Sequence, residues 1–310
     1  MKDRIEINEV SPRDGLQMEK AFVPTEQKIA YIDALSACGF TRIEVTSYTS
    51  PKAIPTLADA DAVMAGIRRV PGVRYTALVP NLRGMERAVA GSPDEINLVM
   101  SVSETHNRAN LRMTREQSLA GLQDVLREAG KIGLPCNVSL STAFGCPFDG
   151  EVDPQEVLRL ARTLADCGAA GITACDTTGM AHPAQVRQVS DMLLKEVGIP
   201  LTIHLHNTRG MGLANALAAY QAGVRRFDGA CGGLGGCPYA PGASGNVSTE
   251  ELAHMFVSMG CETGVDVERL LAVARTLSGV VGRPLTSQLA QAGTRLRRYP
   301  APAWLAEKFQ

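Results

Sequence analysis

The feature that most restricts the fold is an alternation: short β-branched or apolar runs trade places with longer helical patterns eight times along the chain. The strand-like runs are Arg4–Val10, Arg42–Ser47, Val73–Val79, Glu95–Ser101, Cys136–Ala143, Gly171–Thr177, Leu201–His206 and Arg226–Ala230. Helical patterns fall between them at Thr25–Cys38, Thr56–Arg69, Leu82–Ala90, Thr114–Ile132, Asp153–Cys167, Pro183–Val197 and Gly212–Ala222. Thr25 reads as the cap of the first helix and Gly39 as its stop, while Thr114-Arg115-Glu116-Gln117 fits a capping box. Strand–helix alternation of this kind implies parallel strands joined by crossover helices. Eight units in about 250 residues predict a (β/α)8 TIM barrel. A doubly wound open sheet needs fewer units and often a G-x-G-x-x-G after its first strand, which is missing here. The barrel is expected to fill residues 1–275, with 276–310 forming a C-terminal helical extension that packs on it.

Composition narrows the function classes. The 310 residues carry 31 Lys and Arg against 32 Asp and Glu, a formal net charge of −1. No basic surplus points to nucleic acid and no acidic tail is present. No apolar run reaches membrane-spanning length, and Met1–Glu6 has no apolar leader core, so a cytoplasmic protein is expected. The eight cysteines are scattered without C-x-x-C pairs, and most read as small buried hydrophobes.

Active sites of such barrels are built at the C-terminal ends of the strands. Those ends carry Arg13-Asp14, Glu44, Asp176 and His204-Leu205-His206. His204 and His206 are two apart, so on a strand they face one side. A lone histidine there would be a satisfied core residue; two beside a carboxylate point to a metal site. Asp14 supplies a hard anionic ligand and Asn246 a neutral oxygen, a set that suits Mg²⁺ or Mn²⁺. Glu44 and Asp176 are either ordinary strand-end carboxylates or groups that orient ligands and relay protons.

The eighth strand runs into Gly232-Gly233-Leu234-Gly235-Gly236-Cys237-Pro238-Tyr239, closing on Gly245-Asn246. Flexible linkers are Gly/Ser-rich without an embedded Cys-Pro-Tyr, so this is a shaped loop carrying a thiol.

Arg13-Asp14-Gly15-Leu16-Gln17, Ile43-Glu44-Val45-Thr46-Ser47 and the run from Gly233 through Asn246 together resemble the hydroxymethylglutaryl-CoA lyase family, over a span from Glu6 to about Glu251. The resemblance implies a metal-dependent retro-Claisen cleavage of 3-hydroxy-3-methylglutaryl-CoA, or a close 3-alkyl relative, to acetyl-CoA and acetoacetate or the matching 3-oxo acid. It implies Asp14, His204, His206 and Asn246 as metal ligands, Arg13 at the substrate carbonyl, Cys237 as the catalytic cysteine and Glu44 and Asp176 as supporting acids. His204 or Asp176 is then the candidate base. Asn207 stands where the family usually has Asp after His-x-His, which leaves the substituent on the carbinol carbon open. An aldolase or Claisen-type synthase of the same superfamily is the alternative, and a non-catalytic binding barrel the remote one. An acyl-CoA substrate is implied, with Lys52, Arg108 or Arg112 as candidates for its phosphates; no nucleic acid or membrane partner is expected, and a homodimer or larger homo-oligomer is.

Overall fold

A computed structural model describes residues 2–236 and 245–302. Eight parallel strands close in chain order: β1 (Glu6–Glu9), β2 (Arg42–Ser47), β3 (Arg74–Leu78), β4 (Glu95–Ser101), β5 (Cys136–Ser141), β6 (Gly171–Asp176), β7 (Leu201–Leu205) and β8 (Arg226–Gly229). The ring shuts where β1 pairs with β8, Glu6 opposite Arg226 through Glu9 opposite Gly229. This is the (β/α)8 barrel that the alternation predicts.

The helices form the outer layer: α1 (Thr25–Ser36), α2 (Ala60–Gly66), α3 (Leu82–Ala90), α4 (Glu104–Leu111), α5 (Arg115–Lys131), α6 (Pro154–Asp166), α7 (Pro183–Glu196), α8 (Gly212–Gln221), α9 (Thr249–Ser258), α10 (Val267–Val281) and α11 (Gln288–Ala292). α5 begins with the expected capping box, Thr114 and Gln117 bonding reciprocally. α1 begins differently from expectation. Pro24 holds the cap position and Thr25 spends its hydroxyl on Asp59, 2.8 Å away. The helix expected over Thr56–Arg69 shrinks to a single tight turn, Pro55–Leu57, followed by α2. α4 rises from a stretch that reads as polar loop; Ser103 caps it by accepting from the His106 N–H at 3.0 Å, and Glu104 pairs with Arg108 one turn on. α10 runs unbroken through positions 275 and 276 and packs against α1 and α9.

Outward-facing strand residues such as Ile43, Ile96, Leu98, Ile172, Ile203 and Phe227 are all within 1% of complete burial, sealed under the helices. Burying each such side chain stabilises the fold by about 1.5–3 kcal/mol. All seven described cysteines are unpaired, and six of them are buried. No described helix is long and apolar enough to cross a membrane.

Candidate active site

β1 ends in one wide turn, Ser11–Gly15, pinned where the Asp14 N–H donates to the Val10 carbonyl at 2.7 Å. The turn aims Arg13 and Asp14 at the barrel axis. The Arg13 guanidinium is held from two sides: Nε donates to Glu44 at 2.6 Å and one terminal nitrogen donates to Asp14 at 2.8 Å. Glu44 is in turn gripped by Asn97 of β4 at 3.0 Å. Burial raises the Glu44 carboxyl above its usual range, although the Arg13 charge opposes this.

Asp14, His204 and His206 each present a ligand atom within 4.8 Å of the others. The structure therefore brings together three of the four expected metal ligands by geometry alone. Asn246 joins them. Its backbone bridges to that of His206, and its amide nitrogen donates to Asp14 at 2.7 Å and to the Leu234 carbonyl at 3.0 Å. Both amide hydrogens being engaged, the amide oxygen is left for a cation. Two glycines make this closeness possible. A Cβ at Gly235 would sit 2.4 Å from the Asn246 amide, and one at Gly245 would sit 2.5 Å from the Gly233 carbonyl oxygen; both residues have positive φ.

The protonation pattern fits a cation. Burial alone would raise the Asp14 carboxyl, but the facing Arg13, His204 and His206 overcome it and hold it at about 2. Burial, then the neighbouring His204, push His206 down to about 3, so its imidazole is neutral with a lone pair to give. His206 Nδ1 is buried without a hydrogen-bond partner among the described residues. A buried unpaired nitrogen costs about 1–3 kcal/mol, a cost that ligation removes. His204 shifts the other way: burial lowers it, but the hydrogen bond to Asp228 and the charges of Asp228 and Asp14 outweigh this and raise it. Hard oxygens with imidazole nitrogens match a divalent cation that keeps open positions.

Asp176 sits at the end of β6 but does not join that cluster. Its Oδ1 accepts the Met180 and Ala181 N–H groups at 2.7 and 3.2 Å, while Oδ2 has no partner among the described residues. Burial raises its carboxyl to about 6. Cys237 lies outside the described residues. Asn207 turns away from the cluster: its Oδ1 accepts the Gly212 N–H at 3.0 Å, at the start of α8. Lys52, Arg108 and Arg112 are exposed and follow β2 and β4 on this same rim.

Two residues here escape a reading of the sequence. Asp228 of β8 accepts from His204 Nδ1 at 3.2 Å. Glu9 bonds the Ser11 N–H at 2.8 Å and the Cys231 N–H at 3.0 Å, tying the Arg13–Asp14 turn to the root of the glycine-rich loop. A signal for Asp228 exists in the alternation Arg226-Phe227-Asp228, which puts Phe227 outward and Asp228 inward.

An acidic and imidazole cluster beside a half-buried arginine, at the C-terminal rim of a (β/α)8 barrel, defines a class: barrel enzymes with a site fit for a metal ion. Within that class, the HMGL-like family model matches residues 4–277, and the chain belongs to this family. Hydroxymethylglutaryl-CoA lyase YngG of Bacillus subtilis is 45% identical over 289 residues, 93% of this chain and 97% of that protein. (R)-citramalyl-CoA lyase of Chloroflexus aurantiacus is 40% identical over 302 residues, 94% of this chain and 95% of that one. Among solved structures, an HMG-CoA lyase from Acenitobacter baumannii in complex with coenzyme A and 3-methylmalate superposes with a TM-score of 0.93 at 48% identity, covering 97% of this chain and 98% of that one.

Proposed function

We propose that this chain is a carbon–carbon lyase that cleaves 3-hydroxy-3-methylglutaryl-CoA to acetyl-CoA and acetoacetate with a bound Mg²⁺ or Mn²⁺. The observation that carries the reading is the Asp14–His204–His206 cluster set against Arg13, in a chain 45% identical to a hydroxymethylglutaryl-CoA lyase. When bound, the cation supplies Lewis acidity that lowers the pKa of the tertiary hydroxyl and fixes the substrate's geometry.

The chain's own residues do the rest. Asp14, His204, His206 and Asn246 hold the cation. Cleavage breaks the bond between C2 and C3 of the acyl chain; the hydroxyl proton leaves, the C3 carbinol becomes a ketone, and the electron pair passes to the thioester enolate. His204 has Nδ1 committed to Asp228, and the lone pair on Nε2, which faces Asp14 at 4.0 Å, is the one it would give to the cation, so it is poorly placed to take that proton. Asp176 is the better base, with its unpartnered oxygen and its carboxyl near 6. Arg13 spends Nε and one terminal nitrogen on Glu44 and Asp14 and keeps its other terminal nitrogen for the enolate oxygen. Cys237 delivers the proton that converts the enolate to acetyl-CoA, a role open to a thiol because a free cysteine, with a pKa of about 8.5, holds its proton at neutral pH.

Lys52, Arg108 and Arg112 are the bases we assign to the CoA phosphates, and a homo-oligomer is the assembly we expect. The (R)-citramalyl-CoA lyase relative makes citramalyl-CoA the competing substrate, since it too presents a tertiary hydroxyl three carbons into an acyl-CoA thioester. Asn207 does not decide between them, because its side chain serves the start of α8. A panel of both thioesters, assayed for acetyl-CoA with Mg²⁺ or Mn²⁺, tests the assignment. Preference for 3-hydroxy-3-methylglutaryl-CoA supports it; preference for citramalyl-CoA replaces it.

A further inference from the structure

Asp228 belongs to no motif that marks the site, yet the barrel register delivers it there. His204 of β7 lies directly opposite Asp228 of β8. Neighbours in register on parallel strands project to the same face, and both side chains enter the barrel. The Asp228 carboxylate then meets His204 Nδ1 at 3.2 Å with one oxygen, while its other oxygen accepts the Asn8 amide at 2.8 Å. Asp228 is not one of the three residues whose ligand atoms cluster. It stands one layer behind them.

The chemistry of the contact fixes a proton. A carboxylate offers only acceptors, so Nδ1 of His204 must be the donor. The Nδ1–H tautomer leaves the lone pair on Nε2, the atom that faces Asp14 at 4.0 Å. Without Asp228 the ring is free to carry its proton on Nε2, which removes the donor from the cluster, and free to rotate. A carboxylate behind a ligating imidazole also makes the imidazole a stronger base toward a cation. Asn8 completes the chain by holding Asp228 still. The sequence of bonds thus runs from β1 through β8 to β7: Asn8, Asp228, His204.

We infer that Asp228 is a positioning residue that holds His204 in the tautomer and orientation required to ligate the metal. The inference rests on the reading of His204 as a ligand, and the test separates the two. Mn²⁺ is titrated into metal-free wild type, Asp228→Asn and His204→Ala, with bound ion followed by electron paramagnetic resonance and folding by thermal melting. Asp228→Asn is expected to melt cooperatively and to bind Mn²⁺ about 10–100-fold more weakly, the loss typical when the partner behind a metal-bound histidine is removed. Unchanged affinity in a folded Asp228→Asn, with affinity lost in His204→Ala, overturns this inference and leaves the ligand assignment standing. Unchanged affinity in both overturns both. Long-range nitrogen–proton correlation spectra of Mg²⁺-loaded wild type, with ¹⁵N-labelled histidine, give a readout that needs no variant. A His204 proton on Nδ1 is expected; an unprotonated Nδ1 contradicts the proposal.

Discussion

The two faces of the barrel sheet differ in kind. Outward, the strands present Ile, Val, Leu, Met and Phe to the helices, and each side chain is interchangeable with others of similar volume. Inward, they present Asn8, Glu44, Thr76, Asn97, Asn137, Ser139, Thr173, Thr202, His204 and Asp228. These are joined by bonds: Asn137 donates to Asn97 at 2.9 Å and to Thr173 at 2.9 Å, Ser139 donates to Asn97 at 3.0 Å, and Asn97 donates to Glu44. All but Ser139 and His204, together with Arg42 and Glu95, line a cavity of only about 30 Å³, room for about one water. The outer layer supplies stability and the inner network supplies position, so substitutions in each should fail differently.

The largest effect belongs to the innermost rim. Asp14→Ala removes the anionic member of the cluster and the partner of Arg13 and Asn246. Loss of several kcal/mol of transition-state stabilisation predicts a fall in kcat/KM of at least about 10³-fold. Melting temperature should change little. Acetyl-CoA release and calorimetry read the two halves of that statement, and a variant that is unfolded but otherwise active per folded molecule breaks the contrast.

Phe227→Ala is the mirror case. Phe227 is fully buried in the outer layer, its ring 5.0 Å from that of Phe256. Truncation should lower stability by about 3–5 kcal/mol in denaturant unfolding while the folded fraction keeps its turnover. A turnover loss exceeding tenfold at full folding would mean the outer layer also positions the site.

Asn97→Leu cuts the inner network at its hub, leaving Glu44, Asn137 and Ser139 each short of a partner. A stability loss of about 1–3 kcal/mol is expected, together with a drop in kcat, because Glu44 holds Arg13. Stability loss with kcat intact would make the network a packing device only.

The last effect is a pH slope. Burial lifts the Glu9 carboxyl from 4.5 to about 7. A carboxyl whose folded pKa exceeds its unfolded value contributes stability that is fully present below about 4.5 and is lost as pH rises through about 7. Wild type should therefore lose more melting temperature between pH 5 and pH 8 than Glu9→Gln does. Parallel curves for the two proteins would remove Glu9 from the account.

Much of this was legible beforehand for physical reasons. The alternation of strand and helix patterns is local, and it specified the barrel. His204-Leu205-His206 and Arg13-Asp14 are local too, and strand periodicity alone put both histidines on one face. What escaped was pairwise and distant. Asp228 matters because β8 aligns with β7, a register that no short window contains. Glu9 matters because β1 lies beside the loop that follows β8. α4 was hidden by its polar composition, although the Ser103 cap and the Glu104–Arg108 spacing were present as signals. Thr25 has the residue type that helix starts favour, but a tertiary partner, Asp59, holds its hydroxyl instead.

The central claim is that the inner rim works through a divalent cation held by Asp14, His204, His206 and Asn246. It is tested most directly by stripping the protein with EDTA and assaying acetyl-CoA and acetoacetate release from 3-hydroxy-3-methylglutaryl-CoA before and after adding Mg²⁺ or Mn²⁺. The account predicts no turnover in the stripped protein and recovery of both products in equal amounts on adding either ion. Full turnover without metal, or no product from this thioester with metal restored, would contradict it.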